Sequence, residues 1–152
     1  MDTQKLFIEQ MDMKLAPFRV LHRVLVPEQG WVKSIRTALK MTLGQLGDRL
    51  KMTTQSAREI EEREKAGTVS INVLKNVGEA FGMKFVYGYI PEKGSLEQMI
   101  QEQAFQVAKK IVLRTANNME LEGQSVMAEQ LERAIEEKKN EIIREMPKYL
   151  WD

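Results

Sequence analysis

TLGQLGDRLKMTTQSAREIEERE, residues 42–64, decides the fold. Leu46 and Leu50 stand one helical turn apart and so share a core-facing side. Thr42 and Thr53 each precede an apolar-periodic run, where a hydroxyl side chain caps a helix start. Gly47 lies where the first helix passes close to the second, a place for a residue without a side chain. Ala57 and Ile60 supply the opposing apolar contact. The spacing predicts two short helices meeting across a tight turn at Lys51-Met52, a helix-turn-helix.

Further helices extend the pattern on both sides. WVKSIRTAL (31–39) carries Trp31, Ile35, Ala38 and Leu39 at helical spacing, opened by Gly30. Ala66-Gly67-Thr68 ends the EIEERE helix. Ser70 is placed to cap INVLKNVGEAF (71–81), and Gly82 to close it in a left-handed conformation. MKFVYGYI (83–90) alternates and is rich in aromatic and β-branched residues, so it predicts a strand. Met83, Phe85, Tyr87 and Tyr89 share one of its faces, Val86 and Ile90 the other. Pro91 stops it. Ser95 with Gln98 predicts a capping box opening a long helix that ends near Gly123. A last helix is expected from about Ser125 to Met146, with Leu131, Ile135, Ile142 and Met146 on one stripe. Residues 3–14 predict a polar helix with Leu6, Phe7, Met11 and Leu15 near one face. FRVLHRVLV (18–26), between Pro17 and Pro27, reads as either strand or helix. The expected class is mainly α: a helix-turn-helix bundle of four to five helices, one short strand and extra C-terminal helices. Three segments follow: an N-terminal helical arm (1–30), a central domain (31–90) and C-terminal helices for partner binding (91–152).

Composition narrows the function. The 152 residues are 43% hydrophobic and 30% charged, enough for a core. Zero cysteines exclude disulfides, Cys-based zinc and thiol nucleophiles, and one histidine excludes sites needing two. His22 reads as a packed or surface histidine. No run approaches the 18 apolar residues of a membrane span. The polar N-terminus lacks the look of a signal peptide, so a cytoplasmic address is expected. No phosphate-binding glycine loop, metal-ligand set or nucleophile–base pair is visible, so no catalysis and no cofactor are expected. Charge is uneven along the chain. Residues 31–90 hold ten basic and six acidic groups, whereas 91–152 hold nine basic and twelve acidic. A basic middle and an acidic end suggest two surfaces with different partners.

From Thr42 through Thr53-Thr54-Gln55 and Ile60 to Val73-Leu74 and Ala80-Phe81-Gly82, the chain resembles the Xre/Cro-like DNA-binding domains. It departs from them at Lys51, where a turn glycine is usual, and at Ala57, where a larger β-branched residue is usual. A left-handed Lys51 costs roughly 1 kcal/mol. The resemblance implies that the second helix of the pair enters the major groove of double-stranded DNA. Thr54, Gln55 and Arg58 would then meet base edges, Gln55 suiting adenine and Arg58 guanine. Thr42, Gln45 and Thr53 at helix starts would hold phosphate, with Arg36, Lys40, Arg49, Lys51, Arg63 and Lys65 neutralising further phosphates. The EIEERE run places carboxylates near the reading helix and so weighs against this; its acids are expected to cluster toward the C-terminal half, away from the groove.

GW-x-x-x-IR-x-AL (30–39), the helix-turn-helix, the FVYGYIP segment, SLE (95–97), M-x-LE-x-Q (119–124) and LWD (150–152) together resemble the bacterial family called mobile mystery protein A. Its genes usually neighbour those of Fic-domain proteins, which transfer AMP and are commonly restrained by an inhibitory helix. That resemblance implies an antitoxin: a regulator of its own promoter that also silences a Fic-domain adenylyltransferase toxin. Asn118-Met119-Glu120-Leu121-Glu122-Gly123 fits the inhibitory motif except that Asn118 replaces Ser or Thr. Glu122 would occupy the arginine that holds the ATP γ-phosphate, because an Arg–carboxylate pair is bidentate and charge-assisted; Gly123 follows it. Gly123 also reads as an ordinary helix end, with Glu122 merely solvated. A homodimer reading two half-sites is compatible with the pattern. The alternative is a plain phage- or plasmid-type repressor whose C-terminal helices only mediate oligomerisation.

Overall fold

A computed structural model describes residues 3–119 and 127–152. The chain divides into two compact units, Leu21–Gly88 and a second made of Met1–Val20 with Tyr89–Asp152.

Leu21–Gly88 holds four helices: α2 (Trp31–Ala38), α3 (Leu43–Leu50), α4 (Thr54–Ala66) and α5 (Ile71–Phe81). Three start on the hydroxyl caps expected of them. Thr42 accepts from the Gln45 amide, Thr53 from Ser56 and Ser70 from Val73. Each side chain satisfies one N–H that the first turn leaves open. All four helices end in the same way, with a left-handed residue and paired backbone bonds to the last turn. At α3, Lys51 N–H donates to Asp48 and Met52 N–H to Gly47. At α2 the residue is Lys40, at α4 Gly67 and at α5 Gly82. Lys51 sits at φ 58, ψ 44. The turn therefore keeps the geometry a glycine would give it, and lysine carries the strain.

This turn explains Gly47. A Cβ there would stand 2.9 Å from Met52 O and 3.1 Å from Thr53 O. What the glycine admits is the backbone of the turn folding back, more than the neighbouring helix. Val32, Leu46, Ala57, Ile60 and Val77 are the buried core, with Leu43, Leu50, Val73, Leu74 and Phe81 packed around it. Ala57 is wholly enclosed. Leu46, fully buried, contributes about 2 kcal/mol of apolar transfer.

The strand expected at 83–90 does not form: among the described residues no β-ladder is present. The segment carries no regular secondary structure and no strand among the described residues pairs with it, and alternation without a partner makes no sheet. Its start is held by a close crossing over α5, where a Cβ on Gly78 would stand 2.9 Å from Met83 O. Phe85 stacks on Tyr87 with centroids 6.0 Å apart.

The second unit contains α1 (Thr3–Leu15), α6 (Leu96–Met119), α7 (Met127–Glu145) and a short 3₁₀ turn, Lys148–Trp151. A further 3₁₀ stretch, Ala16–Arg23, carries the division between the units. Ile100, Ala104 and Ala108 of α6 pack against Ile142 of α7 and against Leu150, with Ile8, Ile135 and Met146 alongside. Helix α1 is grouped with α6 and α7 in this unit. The Asp12 carboxylate accepts from the Leu96 and Glu97 amides at 2.7 and 3.3 Å, capping α6 from α1. Ser95 Oγ accepts from Gln98 N–H as expected, but Ser95 N–H donates to Lys93 O, so only half of the capping box is made. Ile8, Met11 and Leu15 give α1 its inner side, whereas Leu6 and Phe7 are exposed. Among the described residues no helix is long and apolar enough to cross a membrane.

Candidate nucleic-acid interface

The starts of α3 and α4 come together. The hydroxyls of Thr42 and Thr54 lie 3.8 and 3.5 Å from the point where a Cβ on Gly44 would sit. Two helix N-termini, each with a partial positive charge and open N–H groups, therefore share one edge of the unit. Thr42 and Gln45 hold the first of them by a reciprocal box: Gln45 N–H donates to Thr42 Oγ1 at 3.1 Å, and Thr42 N–H to Gln45 Oε1 at 2.9 Å. The carbonyl oxygen of Gln45 is thus engaged within the cap. Thr53 Oγ1 accepts from Ser56 N–H at 3.0 Å and donates to Ser56 Oγ at 2.9 Å.

Thr54, Gln55 and Arg58 are all exposed on the first turns of α4. Arg58 Nη1 donates to Gln55 Oε1 at 2.8 Å, so these two side chains stand side by side. Lys51 is exposed in the turn between the helices. Arg63 lies apart from this cluster. It is nine residues beyond Thr54, about 13 Å along the axis, and pairs with Glu59 at 3.7 Å on the exposed surface.

The acidic run on α4 divides into two roles. Residues 57, 60, 61 and 64 share the inward side of the helix, so two of its four carboxylates point into the unit. Glu61 is buried and grips Arg36 of α2 in a fork: Nε to Oε2 at 2.6 Å and Nη2 to Oε1 at 3.1 Å. Arg36 Nη1 also donates to Met41 O at 2.9 Å. The hydrogen bond to Glu61 raises the Arg36 guanidinium above its ordinary range, with burial acting the other way. Glu64 caps α2, which has no capping side chain of its own. Its carboxylate accepts from the Trp31 and Val32 amides at 3.0 and 2.8 Å. Gly30, at φ 89, lies directly beneath. A Cβ there would fall 2.6 Å from Glu64 Oε1. Glu59 and Glu62 remain on the side of α4 that carries Gln55 and Arg58, one and two turns further along.

Two expected phosphate ligands are otherwise occupied. Arg36 belongs to the Glu61 pair, and Arg49 Nη1 donates to Ala80 O at 3.1 Å, tying α3 to the end of α5. The roles of Glu61 and Glu64 were readable from their phase on the helix, since both fall on the Ala57–Ile60 side. Asn118 lies in the last turn of α6; Glu122 and Gly123 lie outside the described residues.

Compared with family models, with curated proteins and with solved structures, the chain matches none.

Proposed function

We propose that the chain is a sequence-specific, double-stranded-DNA-binding regulator whose Leu21–Gly88 unit is an Xre/Cro-like domain. In this reading the start of α4 enters the major groove, Thr54, Gln55 and Arg58 meet base edges, and Thr42 and Thr53 meet phosphates with the helix N-termini behind them. Lys51 approaches the backbone of the same duplex. The observation that carries the reading is the convergence of two hydroxyl-bearing helix starts beside an exposed Gln–Arg pair. The inward placement of Glu61 and Glu64 supports it, because half of the acidic run is removed from the surface that DNA would approach. The protein acts in the cytoplasm on the promoter of its own operon, without catalysis.

Footprinting tests this on DNA upstream of the gene. A protected tract that survives excess random duplex is expected for the wild type. Gln55→Ala and Arg58→Ala weaken that tract while leaving binding to random duplex nearly unchanged; equal losses on both contradict base reading. The resemblance adds a second role, silencing a Fic-type AMP transferase through Glu122, and this part rests on the sequence motif. Glu122→Gly is expected to keep the footprint and release AMP transfer by a co-expressed Fic partner. A partner that stays silent removes Glu122 from the account.

A further inference from the structure

Gln55 and Arg58 are coupled, and the coupling changes what Gln55 is able to read. An arginine side chain has donors only. The glutamine atom 2.8 Å from Arg58 Nη1 is therefore the amide oxygen, whichever way an amide is otherwise assigned. With its carbonyl oxygen turned along the helix toward Arg58, Gln55 offers a base first its NH2 group. Arg58 has only N–H groups to offer. A free glutamine suits adenine because it donates to N7 and accepts from the N6 amino group. In the coupled pair one of the two lone pairs of that acceptor is taken, and a guanidinium charge stands beside the place where the N6 amino hydrogens would come.

Resting on the DNA-binding reading above, we infer that Gln55 and Arg58 form one donor-biased reading head that selects keto-bearing bases, guanine or thymine, on two neighbouring base pairs, and disfavours adenine at the Gln55 position. The two residues are three apart, about 4.5 Å along the helix axis. That span is close to the roughly 3.4 Å spacing of successive bases on a strand. Guanine presents N7 and O6, both acceptors, and thymine presents O4. Arg58 takes guanine by the two-pronged match, and Gln55 donates to O6, N7 or O4 of the next base. The hydrogen bond between them also favours this arrangement before DNA arrives, so less freedom is lost on docking.

The test is selection from a pool of randomised duplexes with the full chain, as wild type, Gln55→Ala and Arg58→Ala. Both side chains are exposed, so neither change disturbs the core. The column that loses its preference in Gln55→Ala is the one Gln55 reads. In the wild type that column holds guanine or thymine, with adenine about tenfold weaker, the scale of one good base contact. In Arg58→Ala the amide is released and the column moves to adenine. Adenine in the wild-type column overturns the inference while leaving the DNA-binding reading intact, and so does a column that stays guanine or thymine in Arg58→Ala. The wild-type column decides even where Arg58→Ala enriches nothing. A pool in which Gln55→Ala alters no column also overturns the inference while leaving the DNA-binding reading intact, whereas a pool that the wild type leaves unenriched overturns the DNA-binding reading itself.

Discussion

Replacing Glu61 with alanine removes one half of a shielded ion pair and leaves the other half stranded. The Arg36 side chain is 14% exposed and that of Glu61 6%. Two charge-assisted bonds, at 2.6 and 3.1 Å, join them. Without the carboxylate, Arg36 keeps Met41 O as its hydrogen-bond partner among the described residues. Breaking a buried pair from one side costs about 3–5 kcal/mol, since the remaining charge stays poorly solvated. That is a large part of the 5–15 kcal/mol that typically holds a domain together. Changing both residues together, Arg36→Met with Glu61→Leu, removes the two desolvation costs and is expected to restore stability to within about 1 kcal/mol of wild type. The chain has two tryptophans, one in each unit, Trp31 and Trp151. In a Trp151→Phe background, Trp31 fluorescence against urea reports the Leu21–Gly88 unit alone. Losses below about 1 kcal/mol for Glu61→Ala, or a double change costing the sum of its single changes, would refute the reasoning. The double variant should also bind DNA with an unchanged dependence on salt, because Arg36 is no phosphate ligand here.

Other expected outcomes follow from the same geometry. Lys51→Gly relieves a left-handed lysine and should stabilise the Leu21–Gly88 unit by about 1 kcal/mol, whereas Gly47→Ala meets Met52 O and should cost about 1–3 kcal/mol; urea midpoints of opposite sign check the pair. Glu64→Ala uncaps Trp31 and Val32 and should cost about 1–2 kcal/mol, seen as faster amide exchange at the start of α2. Ile142→Ala empties the core of the other unit and should cost about 2–5 kcal/mol. Trp151 fluorescence in a Trp31→Phe background reads that loss, and an unchanged midpoint counts against the packing.

Much of the helical unit was legible because its signals are local. Thr42, Thr53 and Ser70 cap within three residues of themselves, and Gly67 and Gly82 end helices by their own backbone freedom. The turn at Lys51 was harder, because propensity disfavours a left-handed lysine and packing overrides it. Long-range partners account for what local pattern missed. Residues 83–90 have the alternation of a strand, but a strand is a property of a pair of segments and the described residues supply no second one. Asp12 carries no sequence mark of capping a helix 84 residues away. On α1 the stripe drawn through Leu6 and Phe7 was out of phase with Ile8, which α6 and α7 select by packing. Among the candidate site residues, Thr54, Gln55 and Arg58 needed only the helix start to be placed. Arg36 and Arg49 looked like free cations because a charge in sequence does not reveal its partner. The division of EIEERE into an inward and an outward pair was available from helical phase, and no local signal opposed it.

Amide chemical shifts of the labelled full chain, followed while duplex from upstream of the gene is added, test the central claim most directly. The account predicts the largest changes at Thr42–Gln45 and Thr53–Arg58, with the last turn of α4 and the α6–α7 core little affected. Changes centred on the second unit, or none at any salt concentration, would contradict it.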